Sequence, residues 1–426
     1  MACEPYTVAP ALMATSDTAS RADLLLYRRG GRIADELDRA AADGWLVYDF
    51  RGSNPAFSRL LGSPGQLKST RRAFLYIPID GDPRLLIHHV DAGNLGRLGL
   101  TVRPYGGRDE LVTELSQLLH GARRVLMEYS PGNAIPYVSR VDGGTLELVR
   151  SLGVEVATSA DVLAAVVAAW DSADIASHQR AAEGLDRCKD GLFSAMQSRL
   201  GMGVEWNEVE AQQHLVRLMQ EHGLESDHPP IVAVNRHAGD PHYAPNAELA
   251  LPIKSGDLVL TDLWAREIDR PDGGVGAYAD ITWVATAADP VPGDHLRIWE
   301  TVRSARDAAV AFIEERVGNS EPVQGGEVDR VARGVIEKAG YGKAFTHRTG
   351  HSIGWLGAHG DGVNIDDFET HDTRLLRPGA AFSIEPGIYL SSFGVRSEIN
   401  VVITPGNQVR VTTRQQTDLV RLVSAT

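Results

Sequence analysis

Residues 347–404 decide the fold, because they bring histidines and carboxylates into short, strand-like segments separated by glycines. The segments are HRTGHSIGW at 347–355, AHGDG at 358–362, FSIEPGIYL at 382–390 and GVRSEINVVIT at 394–404. The last two are apolar runs interrupted by one carboxylate each, Glu385 and Glu398, and a buried carboxylate without a partner is costly. The pattern predicts a cation beside each glutamate, either a metal ion or, for one glutamate taken alone, an arginine.

Two earlier segments add further carboxylates. LVLTDL at 258–263 and YADITWV at 278–284 are strand-like and carry Asp262 and Asp280. With His351, the chain then offers four carboxylates and one imidazole on strands or strand ends. An oxygen-rich set with a single histidine is typical of sites for two divalent ions that share a water molecule. We expect manganese first, with cobalt or zinc as alternatives.

In order and in local context, these five residues resemble the metal ligands of the creatinase/methionine-aminopeptidase superfamily, the pita-bread metallopeptidases. The motifs that carry the resemblance are DITW, HRTGHSIG, EPGIY and GVRSE, together with PHY at 241–243. Within the superfamily, the chain looks most like Xaa-Pro aminopeptidases and proline dipeptidases. The resemblance implies an α/β N-terminal domain, an α+β pita-bread catalytic domain with a curved antiparallel sheet, and a homodimer.

The resemblance also implies a role for each ligand. Asp280 and Glu398 would bridge the two ions. Asp262 would complete the coordination of one ion, and His351 and Glu385 that of the other. Glu385 would in addition be the general base, which takes a proton from the attacking water and delivers it to the leaving amine.

Four further residues are expected around the ligands. By resemblance, His242 in the PHY motif would contact the substrate or the developing oxyanion, and His359 would line the site. His347 is expected to contact the substrate or to support the ligands. Arg396, within GVRSE, is expected to orient the carboxylates.

The segment between the two aspartates is longer than is usual in relatives, because 18 positions separate Asp262 from Asp280. A glycine-rich turn can absorb such an insertion at small entropic cost. The acidic residues of this segment are expected to be solvated turn residues; they are Glu267, Asp269 and Asp272.

Three departures from the relatives concern the surroundings of the ligands. Relatives tend to have Asp-x-Gly at the first ligand, where this chain has Trp264 two positions on, and an arginine after DIT, where it has Trp283. AHGDG lacks the acidic residue and the proline that usually follow the third histidine. These changes leave the ligands intact, so they bear on the substrate rather than on metal binding.

Composition and charge narrow the partners. The chain has 426 residues and a formal net charge of −14, which disfavours nucleic acids and anionic membrane surfaces as partners. Two cysteines are too few for a disulfide framework, and the N-terminus lacks the basic start and long apolar region of a signal peptide. These features favour a soluble cytoplasmic protein.

Alternation of strand-like and helical patterns indicates the domain organisation. We predict an N-terminal arm at 1–20, a creatinase-like α/β domain at 21–168 and the catalytic domain at 169–426. The first domain carries no coherent catalytic cluster, whereas every candidate ligand lies in the last.

Three functions are compatible with this pattern. The first is metal-dependent hydrolysis of Xaa-Pro peptide bonds, by an aminopeptidase or a proline dipeptidase. The second is an amidohydrolase or lyase of the same fold that acts on a small non-peptide metabolite, because fold does not settle function. The third is a metal-free binding protein, which retention of all five ligands disfavours.

Overall fold

The computed structural model describes residues 24–62, 69–95 and 98–423. The predicted arm at 1–20 lies outside these residues. Packing divides the chain into two units: one comprises the residues up to Met127 together with Arg140–Ala157, and the other comprises Glu128–Ser139 and Thr158–Thr426.

The first unit is an α/β domain, as the alternating sequence pattern predicts. Its described strands are β1 (Gly44–Phe50), β2 (Arg72–Pro78), β3 (Arg84–His88), β4 (Thr101–Tyr105), β5 (Arg124–Met127) and β6 (Glu155–Thr158). Its described helices are α1 (Leu25–Arg28), α2 (Gly30–Arg39), α3 (Pro55–Leu60), α4 (Ala92–Leu95), α5 (Arg108–Leu118) and α6 (Gly143–Ser151), with a 3₁₀ turn at His89–Asp91.

These strands form one mixed sheet in the order β4-β3-β2-β1-β5-β6. The central strand β1 pairs antiparallel with β2 and parallel with β5. Its sequence GWLVYDF is buried up to the last residue, which explains why it reads as a nearly continuous apolar run rather than as an alternating one.

The second unit contains the candidate ligands. Its strands are β7 (Trp206–Asn207), β8 (Leu224–Glu225), β9 (Ile231–Val234), β10 (Pro252–Ile253), β11 (Leu258–Glu267), β12 (Ala279–Thr286), β13 (Ala381–Ile384), β14 (Gly387–Tyr389), β15 (Gly394–Arg396), β16 (Ile399–Ile403), β17 (Val409–Val411) and β18 (Val420–Arg421). Four groups of paired strands result: β18-β12-β11-β8 with β9 also on β11, β13-β16-β17, β14-β15 and β10-β7.

The helices of this unit are α7 (Ala160–Val162), α8 (Ser172–Met202), α9 (Glu208–Glu221), α10 (Gly293–Gly318) and α11 (Gly325–Lys338), with a π-helical turn at Leu163–Val167 and 3₁₀ turns at Pro131–Asn133, Pro136–Val138, Asn235–His237 and Gly342–Ala344. Four of these helices, α8 to α11, are longer than any described helix of the first unit. Asp171 begins α8 by accepting hydrogen bonds from two backbone N–H groups of the first turn, as expected of an N-cap aspartate.

Strand alternation separates the two faces of β11 and β12. Val259 and Ile281 belong to a core cluster with residues of α8 and α9. Leu260 and Val284 belong to a second cluster with residues of α10, α11, β13 and β16. Since successive side chains of a strand point to opposite faces, the even-numbered residues of both strands share the second face.

None of the helices described is both long and apolar enough to cross a membrane.

Two glycines of α11 provide a matched test of close packing. A methyl group on Gly325 would lie 1.9 Å from the carbonyl oxygen of Asn364, whereas one on Gly334 would meet nothing within 4 Å. We expect Gly325→Ala to lower the free energy of unfolding by about 1–3 kcal/mol through overpacking. Gly334→Ala should raise it by about 0.5–1 kcal/mol through helix propensity. Denaturant unfolding of both variants checks this, and equal effects would contradict the packing described.

His178 on α8 should make stability depend on pH. Its Nδ1 atom lies 2.7 Å from the carbonyl oxygen of Tyr278 and its Nε2 atom 2.6 Å from the hydroxyl of Thr412. Burial lowers the pKa of His178 from 6.5 to about 4. The unfolded chain therefore binds the proton more readily, and stability is lost as the pH falls from about 6.5 to about 4.

At pH 5 the loss attributable to His178 is on the order of 2 kcal/mol relative to pH 7. His178→Gln should be less stable at pH 7, because the buried hydrogen bonds change, but its stability should fall less steeply between pH 7 and pH 5. Urea unfolding of the metal-free protein at the two pH values measures the difference. Equal slopes for the variant and the wild type would show that His178 is not the titrating group.

Candidate metal centre

The first two ligands lie on neighbouring strands. Asp262 on β11 is paired with Thr282 on β12, and Trp264 is paired with Asp280. Directly paired residues project to the same face of a sheet, so both aspartates and Thr282 share one face. The Thr282 hydroxyl lies 3.0 Å from Asp262 Oδ1 and 3.0 Å from Glu398 Oε2.

His351 reaches the cluster from a segment that runs beside β13. Its backbone N–H donates to the Ser383 hydroxyl at 2.9 Å, and its carbonyl accepts from the Ser383 N–H at 2.8 Å. A side chain on Gly350 would prevent this approach, because its Cβ atom would lie 2.0 Å from the Ser383 carbonyl oxygen. The glycine in HRTGHSIG is therefore a packing requirement.

The His351 ring presents an acceptor to the carboxylates. Its Nδ1 atom lies 3.0 Å from the carbonyl oxygen of Ser352, so Nδ1 carries the hydrogen and Nε2 is left with a lone pair. Nε2 lies 3.4 Å from Glu385 Oε1 and 3.5 Å from Asp280 Oδ2. This is the tautomer that binds a metal through Nε2.

The two glutamates are fixed through their backbones. The Glu385 N–H donates to the carbonyl of Thr349 at 2.7 Å, and the Glu398 N–H donates to that of Thr282 at 3.2 Å. Ligand atoms of Asp280, His351 and Glu398 all lie within 4.8 Å of one another. Glu385 joins this group through its contact with His351, and Asp262 joins it through the Thr282 hydroxyl that it shares with Glu398, so the structure brings the five predicted ligands together.

Arg396 is the positive side chain of this cluster. Its Nη2 atom donates to Asp262 Oδ2, and its Nε atom donates to the Thr282 hydroxyl at 2.9 Å. The Nε atom also lies 3.8 Å from Glu385 Oε2. Arg396 therefore contacts the carboxylates it was expected to orient.

One arginine does not neutralise four carboxylates. Burial, together with Asp280 and Glu385, raises the pKa of Asp262 to about 7 although Arg396 opposes the shift. Burial and repulsion from neighbouring carboxylates also raise the pKa values of Asp280 and Glu398. Burial alone would raise the pKa of Glu385, but His351 and Arg396 outweigh it and hold that pKa below its usual range.

A buried carboxylate oxygen without a hydrogen-bond partner supports the fit of the donor set to a metal ion. Glu398 Oε1 is buried and has no hydrogen-bond partner among the described residues. Buried polar atoms are nearly always paired, so an unpaired carboxylate oxygen among other carboxylates is consistent with a bound cation. Carboxylate oxygens with one imidazole are the ligands that hard or borderline divalent ions prefer.

His347 is linked to the cluster by a hydrogen-bonded path that the sequence did not indicate. Its Nδ1 atom lies 2.6 Å from the Arg348 carbonyl oxygen, and its Nε2 atom lies 2.6 Å from the Tyr389 hydroxyl. Tyr389 also accepts a hydrogen bond from Arg396 at 3.3 Å. Burial lowers the pKa of His347 to about 4 and raises that of Tyr389 to about 12, so both are neutral near pH 7.

The other two predicted histidines differ in position. The exposed ring of His359 lies 4.1 Å from the His351 ring between centroids. The proximity of the His351 ring lowers the pKa of His359 to about 3. His242 is exposed, and its backbone N–H donates to Asp240 within its own loop. The structure thus places His359 beside a predicted ligand.

The long segment between the aspartates is partly strand. Glu267 was expected to be a solvated turn residue, but it is the last residue of β11 and its carboxylate binds Arg180 through two hydrogen bonds of 2.5 and 2.7 Å. The expectation was wrong because the partner of Glu267 is remote in sequence: Arg180 lies 87 residues earlier, on α8. In the same segment, the indole N–H of Trp264 donates to Asp227 Oδ1 at 2.7 Å, which the sequence also did not indicate.

Replacing one carboxylate should separate metal binding from folding. In the metal-free protein, Glu398→Gln should leave the melting temperature unchanged or raise it, because it removes one of the crowded carboxylates. Manganese should stabilise the wild type by about 2.7 kcal/mol at a concentration 100 times its Kd. The variant should gain much less from manganese in the same thermal melts.

A control for this experiment is Glu314→Gln on the exposed side of α10. It should respond to manganese as the wild type does. A Glu398→Gln protein that gained the full stabilisation would exclude Glu398 as a ligand.

Comparison with known sequences supports the assignment of the second unit. The sequence pattern of metallopeptidase family M24 matches residues 176–405. The putative dipeptidase YkvY of Bacillus subtilis (strain 168) is 35% identical over 191 residues, which are 43% of this chain and 44% of that protein. The Xaa-Pro dipeptidase of Lactobacillus helveticus is 35% identical over 179 residues, 41% of this chain and 42% of that protein. Each match thus covers less than half of the relative's length.

Solved structures extend the similarity of fold to both units. Dipeptidase PepE from Mycobacterium ulcerans matches 96% of this chain and 100% of its own, with a TM-score of 0.70 and 24% identity. The N-terminal domain of FACT complex subunit SPT16 from chickpea matches 93% of this chain and 96% of its own, with a TM-score of 0.61 and 13% identity. At these identities the matches show the predicted pita-bread fold alone. Because the family pattern spans more than half of the chain, a range that includes all five predicted ligands, the protein belongs to metallopeptidase family M24.

Proposed function

We propose that this protein is a dinuclear metal-dependent hydrolase that cleaves Xaa-Pro peptide bonds, as a dipeptidase or an aminopeptidase. The observation that carries the proposal is the convergence of Asp262, Asp280, His351, Glu385 and Glu398, among which one buried oxygen of Glu398 has no hydrogen-bond partner. The names of several relatives, Xaa-Pro dipeptidase among them, point to the same class of substrate.

The donor set would hold two divalent ions, with Asp280 and Glu398 between them. Asp262 would serve one ion, and His351 and Glu385 the other. When bound, such ions supply Lewis acidity toward the peptide carbonyl and lower the pKa of water. We propose manganese first, since oxygen ligands predominate, with cobalt or zinc as alternatives.

Glu385 is suited to move the proton. Its lowered pKa keeps the carboxylate ionised near neutral pH, so Oε1 or Oε2 can accept a proton from the attacking water. The Ser383 hydroxyl lies 3.1 Å from Oε1 and fixes the orientation of the carboxylate. The same oxygen can then deliver the proton to the leaving nitrogen.

His347 and His359 would act as neutral groups, because their pKa values are lowered to about 4 and about 3. His359, exposed beside His351, is placed to donate a hydrogen bond to a substrate oxygen. His242 is exposed and so accessible to a bound peptide, and the resemblance assigns it the same kind of contact. His347 accepts a hydrogen bond from the Tyr389 hydroxyl and thereby fixes Tyr389 against Arg396. This arrangement supports the position of the Asp262 carboxylate.

The compartment and the oligomeric state of the protein are also proposals. We propose a cytoplasmic homodimer. The resemblance supports the dimer, and cysteine usage supports the compartment: Cys188 is a free buried thiol whose pKa burial raises to about 12, so it is poorly suited to disulfide exchange.

A peptide panel tests the function. Chelated protein, with manganese, cobalt or zinc restored, should release the first residue from Xaa-Pro dipeptides or from longer Xaa-Pro peptides, and not from controls with alanine in place of proline. Chromatography of the products measures the release. Preference for dipeptides would identify a proline dipeptidase, and preference for longer peptides an aminopeptidase.

The panel can also reject the proposal. Protein that holds two ions per chain by elemental analysis and cleaves no peptide would not be an Xaa-Pro peptidase. Small-molecule amides and lyase substrates would then be the candidates. Glu385→Gln is the matched inactive variant, since it keeps the size of the side chain and removes the proton acceptor.

A further inference from the structure

Trp264 stands on the ligand face of the sheet, beside the metal centre. It is paired directly with Asp280 across β11 and β12, and it lies two residues after Asp262 on the same strand. Both relations place its side chain on the face that carries the ligands. The indole packs against a core cluster that contains Tyr278 and Trp355. A large flat side chain therefore borders the metal centre, where the resemblance leads one to expect glycine.

The Trp264 indole donates a hydrogen bond to a carboxylate that is not one of the predicted metal ligands. Trp264 Nε1 donates to Asp227 Oδ1 at 2.7 Å. Asp227 lies in the bend between β8 and β9, just before Pro229 and Pro230, which restrict the backbone there. The position of this carboxylate is thus set by Trp264, the residue paired with Asp280.

Asp227 faces the same space as His359. Its Oδ2 atom would lie 3.1 Å from a Cβ atom added to Gly357, two residues before His359.

One oxygen of Asp227 remains accessible. Oδ1 accepts the indole hydrogen bond, whereas Oδ2 lies 3.3 Å from Nδ1 of His228, whose side chain is 76% exposed. The Asp227 side chain itself is 35% exposed. A half-exposed carboxylate with an exposed partner can exchange that partner for a ligand, because surface ion pairs contribute little free energy.

We propose that Asp227, oriented by Trp264, binds the α-ammonium group of the first residue of the substrate. The inference rests on the proposed peptidase function and names the end of the peptide that the site recognises. A free α-amino group is cationic near neutral pH and matches a fixed carboxylate beside the metal centre. Trp264 blocks space at the same place, so an acylated or extended N-terminus would meet both a steric and an electrostatic mismatch.

Binding of two uncleavable ligands tests this. The ligands are the ketomethylene isostere of Ala-Pro and its N-acetyl form, titrated calorimetrically into manganese-loaded protein. The wild type should bind the free-amine form at least about tenfold more tightly, as expected for a charge-assisted contact. Asp227→Asn, which keeps an acceptor for the indole, should lose most of this preference and bind the acetylated form as before.

Trp264→Phe separates the orientation of Asp227 by the indole N–H from the packing of the aromatic ring. The ring remains but the N–H is lost, so the preference for the free amine should fall by a smaller factor while manganese binding is unchanged. Asp272→Asn is the matched control, because it removes a 52% exposed carboxylate from the same inserted segment. It should keep the full preference.

Each outcome decides the inference. Equal binding of both ligands by the wild type, no binding of the free-amine form, or an unchanged preference in Asp227→Asn would overturn it. The proposed function is tested separately by hydrolysis. A protein that prefers the free amine through Asp227 and cleaves no Xaa-Pro bond would retain this site and lose the peptidase assignment.

Discussion

The structure depends on the burial of four carboxylates around one imidazole and one guanidinium. Mutual repulsion and loss of hydration raise the pKa values of three of these acids, so without cations the cluster favours protonation. The Glu398 oxygen without a hydrogen-bond partner indicates the same excess of negative charge. A binding site of this kind costs stability in the empty protein and gains it from metal, since ligand binding to the folded state is also folding free energy.

Close backbone approach makes this burial possible. Gly350 lets the His351 segment lie against β13, and Gly394 lies so near residue 238 that a Cβ atom there would be 1.8 Å from the Ala238 carbonyl oxygen. The Asn400 side chain joins β12 to β16 by accepting from the Asp280 N–H at 2.9 Å and donating to the Asp280 carbonyl at 2.8 Å. These contacts fix the carboxylate-bearing strands relative to each other, which a metal site requires because ligand geometry tolerates little error.

The candidate ligands could be recognised in the sequence because a carboxylate inside an apolar strand is a local signal with a physical meaning. The common face of Asp262 and Asp280 follows instead from the pairing register of β11 and β12, which the sequence did not indicate. Strand alternation could have placed Thr282 on the same face as Asp280, since it lies two residues later. The contacts of Glu267 with Arg180 and of Trp264 with Asp227 could not be predicted, because each joins residues that are remote in sequence. Local periodicity carries no information about such pairs.

The difference between local signals and remote contacts also explains why the chemistry of the site is easier to infer from sequence than its substrate. The fold also occurs in a FACT complex subunit domain, so it does not select a function by itself. The predicted ligand set restricts the chemistry more than the fold does, because carboxylate oxygens with one imidazole suit divalent ions. Substrate choice lies in the residues around that set, and here those are Trp264, on the segment between the first two ligands, and Asp227 opposite its indole. A fixed carboxylate at that position would add negative charge beside a cluster that is already rich in carboxylates, which suits a substrate that brings a positive group of its own.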